Sequence, residues 1–171
     1  QALDVAVNGR GFFQVLNPDG SISYTRDGQF QLNNAGQLVN AQGLTIEPAI
    51  TIPDGTQTIT IGMDGIVGVV DAATGTTTQV GNLTLADFSN PAGLEAQGGN
   101  LFRETAASGA PVQGEAGQGG FGTLIQGAIE GSNVNVVEEM VNMIETQRAY
   151  EMNSKVISTV DQMLQYASQN L

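Results

Sequence analysis

The residues best equipped for chemistry in this chain sit in glycine- and acid-rich turns. Gly9-Arg10-Gly11 and Gly62-Met63-Asp64-Gly65-Ile66-Val67-Gly68 have the glycine spacing of loops that cradle phosphate with backbone N–H groups. Such a loop must follow a strand and open a helix, and neither segment does, so turn geometry accounts for both. Asp64 and Asp71 lie seven residues apart across an expected hairpin and could face each other as the paired acids of a glycosidase do. Acids beside glycine more often serve the turn itself. Asn33, Asn34 and Asp54 lack the alternating acids and closing Glu of a calcium loop. Asn82-Leu83-Thr84 fits a glycosylation sequon, a pattern short enough to arise by chance.

What is missing narrows the chemistry further. The chain has no His, Cys or Trp, so zinc sites, thiol nucleophiles and imidazole acid–base catalysis lose their usual groups. The expectation is no catalytic residue, no metal and no cofactor. Seventeen acids against five bases give a formal charge of −12. Arg10, Arg26, Arg103, Arg148 and Lys155 are scattered and form no patch, which argues against nucleic acid as a partner. No apolar run approaches the ~20 residues that span a bilayer, so no membrane insertion is expected. The start shows no basic segment leading into an apolar one, and it opens on Gln1, so the expectation is that an N-terminal segment is missing. Only 13% of residues are charged, a sparse surface that suits contact with copies of the same chain.

Those residues need elements to position them. Short runs rich in Val, Ile, Phe, Thr and Tyr predict strands over 4–7, 11–16, 21–25, 29–33, 37–40, 44–47, 57–62, 66–70, 77–81 and 83–88. Turn signals such as Asn17-Pro18-Asp19-Gly20, Asp27-Gly28 and Asp64-Gly65 separate them at intervals near ten residues. The fold class is therefore mainly β, a small antiparallel all-β domain over 1–95, with Phe12, Phe13, Val15, Tyr24, Phe30 and Leu32 as core of its first half. In Thr58-Ile59-Thr60-Ile61 the isoleucines share one face. Residues 96–126 are rich in Gly, Ala and Gln, with too little apolar surface to offset ordering entropy unaided. This stretch reads as a tether, or as an extended strap that gains order by returning to the β-domain, pinned by Leu101 and Phe102.

Residues 127–171 read as a long C-terminal α-helix. Val136, Met143, Tyr150, Ile157, Leu164 and Leu171 recur every seventh position, close to two helical turns, and so line one stripe. Val137, Met140, Val141 and Ile144 widen its first half, and Val160 and Ala167 accompany its second. Ser132 or Asn133 is the expected N-cap, and no Gly or Pro follows before the end. Arg148 and Tyr150 could anchor an interface, or Tyr150 could be plain stripe. A helix this long exceeds what globular domains commonly carry, which favours packing against other molecules over packing on its own domain.

Two segments resemble a known family. The first runs from Leu3 through Asn8-Gly9-Arg10-Gly11-Phe12-Phe13 to Arg26-Asp27-Gly28 and Phe30. The second runs from Gly127 through Ser132-Asn133-Val134 to Gln147-Arg148-Ala149-Tyr150 and Asn153-Ser154-Lys155. Both resemble the bacterial flagellar basal-body rod and hook family of axial proteins, most closely its distal rod members. The resemblance covers essentially the whole chain, and it implies that the family's N-terminal helix is not in this sequence.

The resemblance implies terminal helices packed into a helical tube around an export channel, with the β-domain outside. It also implies a basal-body rod crossing the periplasm, export without a cleaved signal peptide, and torque passed from motor to hook. The implied partners are copies of itself, proximal rod proteins, hook protein and the ring bushings. The expected assembly interface is Val136, Val137, Met140, Met143, Ile144, Tyr150, Ile157, Val160, Leu164 and Leu171. The short interval between the two motifs argues against a hook protein, while a proximal rod paralogue stays open. From other classes, the alternatives are a secreted β-rich binding module or adhesin trimerised by its helix, and a wall-degrading enzyme.

Overall fold

The computed structural model of the protein describes residues 1–131 and 136–169, and within the terminal helix the side chains of Arg148, Met152 and 155–169. Its architecture is antiparallel β throughout, with one C-terminal α-helix. In chain order the strands are β1 (Val5–Asn8), β2 (Phe13–Leu16), β3 (Ile22–Thr25), β4 (Gln31–Leu32), β5 (Leu38–Val39), β6 (Thr45–Glu47) and β7 (Thr56–Ile61). They continue with β8 (Ile66–Asp71), β9 (Thr77–Asn82), β10 (Thr84–Asp87), β11 (Glu95–Gly98), β12 (Leu101–Arg103), β13 (Val112–Glu115) and β14 (Thr123–Gln126). The helix α1 spans Val136–Gln169. The chain divides into two compact units, Gln1–Glu130 and Gly131–Leu171.

Seven strands form one sheet in the order β11-β12-β3-β2-β6-β5-β4, and β7-β8-β9 form a second. Two pairs, β1 with β14 and β10 with β13, complete the first unit. All ten strands expected between residues 4 and 90 are present, most with trimmed ends. The trimming has a cause at Phe12, which bridges to Ala86 while Phe13–Leu16 pair with β3 and β6. One extended run thus serves two layers.

Residues 95–126 supply four strands, of which β12, β13 and β14 pair with earlier ones and β11 pairs with β12. β12 adds to β3 with Leu101 opposite Thr25, β13 runs along β10, and β14 pairs with β1 through Val5–Gln126 and Asn8–Thr123. Leu101 packs on the main core and Phe102 on a second, smaller one. The main core joins Val5, Phe13, Val15, Phe30, Ile46, Val67, Leu85 and Leu124, each at most 2% exposed. Phe13 meets Phe30 edge-on at 5.0 Å, and Tyr24 meets Phe88 edge-on at 4.8 Å.

Leu32 departs from expectation: it is 40% exposed. It lies in β4, the edge strand of the seven-stranded sheet, where Phe30 already fills the core position and no further strand covers Leu32. Along β7 the pleat runs as expected, with Ile61 buried, Ile59 packed on the core, and Thr58 and Thr60 exposed.

Candidate functional site

The turn residues that suggested chemistry serve the backbone. Asp64 accepts the Ile66 N–H, and Asp71 accepts those of Ala73 and Thr74. The two acids stand at opposite ends of β8, so they do not form a pair. A six-residue strand separates them by about 20 Å, several times the spacing of glycosidase carboxylates. Asn33 Oδ1 accepts the amides of Ala35 and Gln37, closing an Asx turn. Asn82 ends β9 with its Oδ1 enclosed and Leu83 fully buried, so the sequon is not displayed on a surface loop. Among the described residues, no group of three or more His, Cys, Asp or Glu could hold a metal.

A groove of about 640 Å³ is lined by Leu3, Leu32, Ile52, Pro53, Ile59 and their neighbours, with Asp54 as its one ionisable side chain. A single carboxylate does not make the acid pair of a glycosidase. Burial pushes the Tyr24 phenol up, helped by the Glu104 charge, and hydrogen bonds from the Ser21 hydroxyl and amide hold exposed Asp19 below the usual carboxylate range.

The structure gathers the first motif into one corner. Asn8 ends β1, and the close approach of the chain behind it depends on glycine: a Cβ on Gly9 would come within 2.9 Å of Gly122 Cα. Gly9 and Gly11 also carry φ of 121° and 129°, which L side chains avoid. Gly28 is required for space alone, since a Cβ there would overlap the Val5 carbonyl. Its own carbonyl accepts the Val5 N–H at 2.9 Å. Asp27 shapes the same corner by accepting the Gln29 N–H, while Phe13 fills the core and Phe12 the second cluster.

Arg26 occupies the centre of this corner. Its Nη1 donates to the carbonyls of Gly9 and Gly11, both at 2.7 Å, and its Nη2 to Val7 at 3.1 Å. Its Nε donates to the Glu130 carboxylate at 2.8 Å. Gln126 closes the other side: its Nε2 donates to the carbonyls of Ala2 and Ile59, and its Oε1 accepts the Ile61 N–H. Gln126 gave no signal in the sequence, because one glutamine at a strand end looks like any solvated polar residue.

The second motif lies on or beside α1. Val136, Val137, Met140, Met143, Ile144, Gln147, Tyr150 and Asn153 fall within the helix, Arg148 is exposed, and Ser132, Asn133, Val134 and Leu171 lie outside the described residues. At ~1.5 Å per residue the 34-residue helix is about 51 Å long. Ile157, Val160 and Leu164 leave 64%, 48% and 64% of their surface uncovered, as do Val156 and Met163 at 63% and 67%. No described helix is long and apolar enough to cross a membrane.

A β-module closed by its own returning strands, continued by a long helix with uncovered apolar side chains, is the layout of an axial building block. Two family models match where the two motifs lie: the flagellar hook protein FlgE/F/G D1 domain over residues 6–69, and the flagellar basal body rod FlgEFG protein C-terminal region over residues 125–170. The chain is 55% identical over 166 residues to the flagellar basal-body rod protein FlgG of Buchnera aphidicola, covering 97% of this chain and 64% of that one. With the protein of the same description from Caulobacter vibrioides it shares 50% over 167 residues, covering 98% of this chain and 64% of the other. With the flagellar hook protein FlgE of Salmonella typhimurium it shares 48% over only 85 residues, half of this chain and 21% of that one. The chain belongs to the FlgG family of flagellar basal-body rod proteins. It spans 64% of the length of the FlgG relatives it matches.

Proposed function

We propose that this chain is the larger part of a structural subunit of the flagellar distal rod, which polymerises into the rigid shaft that carries motor torque to the hook and encloses the export channel. The observation that carries this reading is the uncovered apolar seam of α1, in a chain that matches a rod protein over 97% of its own length. Burying one such side chain contributes ~1.5–3 kcal/mol before ordering entropy is subtracted, so the seam gains only when neighbouring helices cover it. The interface of the polymer is the stripe Val136, Val137, Met140, Met143, Ile144, Tyr150, Ile157, Val160, Leu164 and Leu171. Its partners are copies of itself, with proximal rod proteins, hook protein and ring bushings at the ends and sides. A hook role is disfavoured because the hook relative matches only half of this chain.

The test is Ile157→Asp with Leu164→Asp in the full-length protein, expressed in cells that lack the native subunit. Swimming is lost and basal bodies end at a truncated rod. Wild-type swimming with rods of normal length contradicts the reading.

A further inference from the structure

Arg26 takes no part in the helix seam, yet one guanidinium joins two parts of the chain that are far apart in sequence. Three of its hydrogen bonds go to carbonyls of a single stretch, Val7, Gly9 and Gly11, and its Cζ lies 5.9 Å from the centroid of the Phe12 ring. The fourth goes to Glu130, the last residue of the first compact unit. Between Gly127 and Gly131 the hydrogen bonds among the described residues are Gly127 N–H to Asp4 and this Arg26–Glu130 pair.

An ordinary surface ion pair contributes little, because two long side chains must be ordered to make it. Arg26 differs in being held already by three carbonyls and a ring, so meeting Glu130 orders only one side chain further. Its side chain is 27% exposed and that of Glu130 44%, so the pair is partly shielded from solvent. A planar fork with five donors can serve these four acceptors at once, whereas an ammonium cannot reproduce that geometry.

We propose that Arg26 and Glu130 form a clasp that fixes where the chain leaves the β-module, holding residues 127–130 against the stretch Val7–Gly11 in each subunit. This rests on the polymer reading above. Opening the clasp leaves the module folded and frees its exit segment. Arg26 is then a positioning residue for the exit segment, and Glu130 is the half of the clasp that can be altered without disturbing the three carbonyl contacts.

Glu130→Gln in the full-length protein removes the charge while Arg26 keeps its three carbonyls. Hydrogen exchange on the unassembled protein is expected to show the Gly127 amide, which donates to the Asp4 carbonyl, exchanging about tenfold faster, the scale of losing one charged hydrogen bond, with the melting temperature of the module unchanged. Arg26→Lys lowers the melting temperature as well, because the carbonyls lose their fork. Wild-type exchange at the Gly127 amide in Glu130→Gln overturns the clasp, whether or not filaments form. Absence of filaments from the wild-type protein instead overturns the polymer reading and leaves the exchange result to decide the clasp.

Discussion

Tyr24 shows how one side chain ties the small aromatic cluster to pH. Its ring is 3% exposed and packs edge-on against Phe88, and burial together with the Glu104 charge raises its phenol above the ordinary value. The unfolded phenol ionises near pH 10, so the unfolded state releases its proton first as pH rises. The stability this tyrosine gives is complete below about pH 10 and is lost as pH climbs through the higher folded value. The melting temperature of the β-module is therefore expected to fall above pH 10, and Tyr24→Phe to flatten that fall while leaving melting at pH 7 little changed. An unaltered alkaline fall in Tyr24→Phe contradicts this account. At this scale the sequence was readable where chemistry is local. Asp-Gly and Asn-x-x-Gly turns were visible because the acid or amide side chain and the glycine act within four residues. Arg26 could be picked out only as part of a motif, since its partners at 7, 9, 11 and 130 meet through tertiary folding.

The elements divide into those that specify themselves and those that borrow order. β7 carries alternating apolar residues, β8 is a run of β-branched residues, and a tight turn joins them, so composition and punctuation fix them without help. β13 and β14 sit in a stretch dominated by Gly and Gln and exist because β10 and β1 offer partners. Composition shows that such a segment cannot order itself, but it does not show which edge will receive it. Leu32 departs from expectation for a related reason: alternation identifies a face, and only the sheet order shows that, among the described residues, no strand lies beyond β4 to cover it. The helix was legible because the recurrence at seven spans most of its length. At 3.6 residues per turn that recurrence drifts ~20° per heptad, so the seam winds slowly and suits neighbours that supercoil with it. Because Ile157 and Leu164 are uncovered, their replacement by Asp is expected to leave melting of the β-module within a degree or two of wild type while abolishing polymer. A marked fall in that melting temperature contradicts a purely intermolecular role for the seam.

The whole molecule carries its charge unevenly between signs. Arg10 pairs with Asp87, Arg26 with Glu130 and Arg103 with Glu95, so the three bases of the first unit are already matched while a net −12 remains. Copies of such a subunit repel each other at low ionic strength, where the screening length is about 30 Å, and much less at 0.15 M, where it is about 8 Å. The concentration needed for polymerisation is expected to fall as salt rises over that range, measured by light scattering. A rise over the same range contradicts an assembly driven by apolar contact and opposed by charge.

The most direct measurement is a cryo-electron microscopy reconstruction of the assembled full-length protein. The account predicts straight tubes in which Ile157, Val160 and Leu164 of α1 are buried against helices of neighbouring subunits, with the β-module outside. Discrete trimers or monomers, with α1 laid over the sheets of its own chain and no tube at any concentration, contradict it.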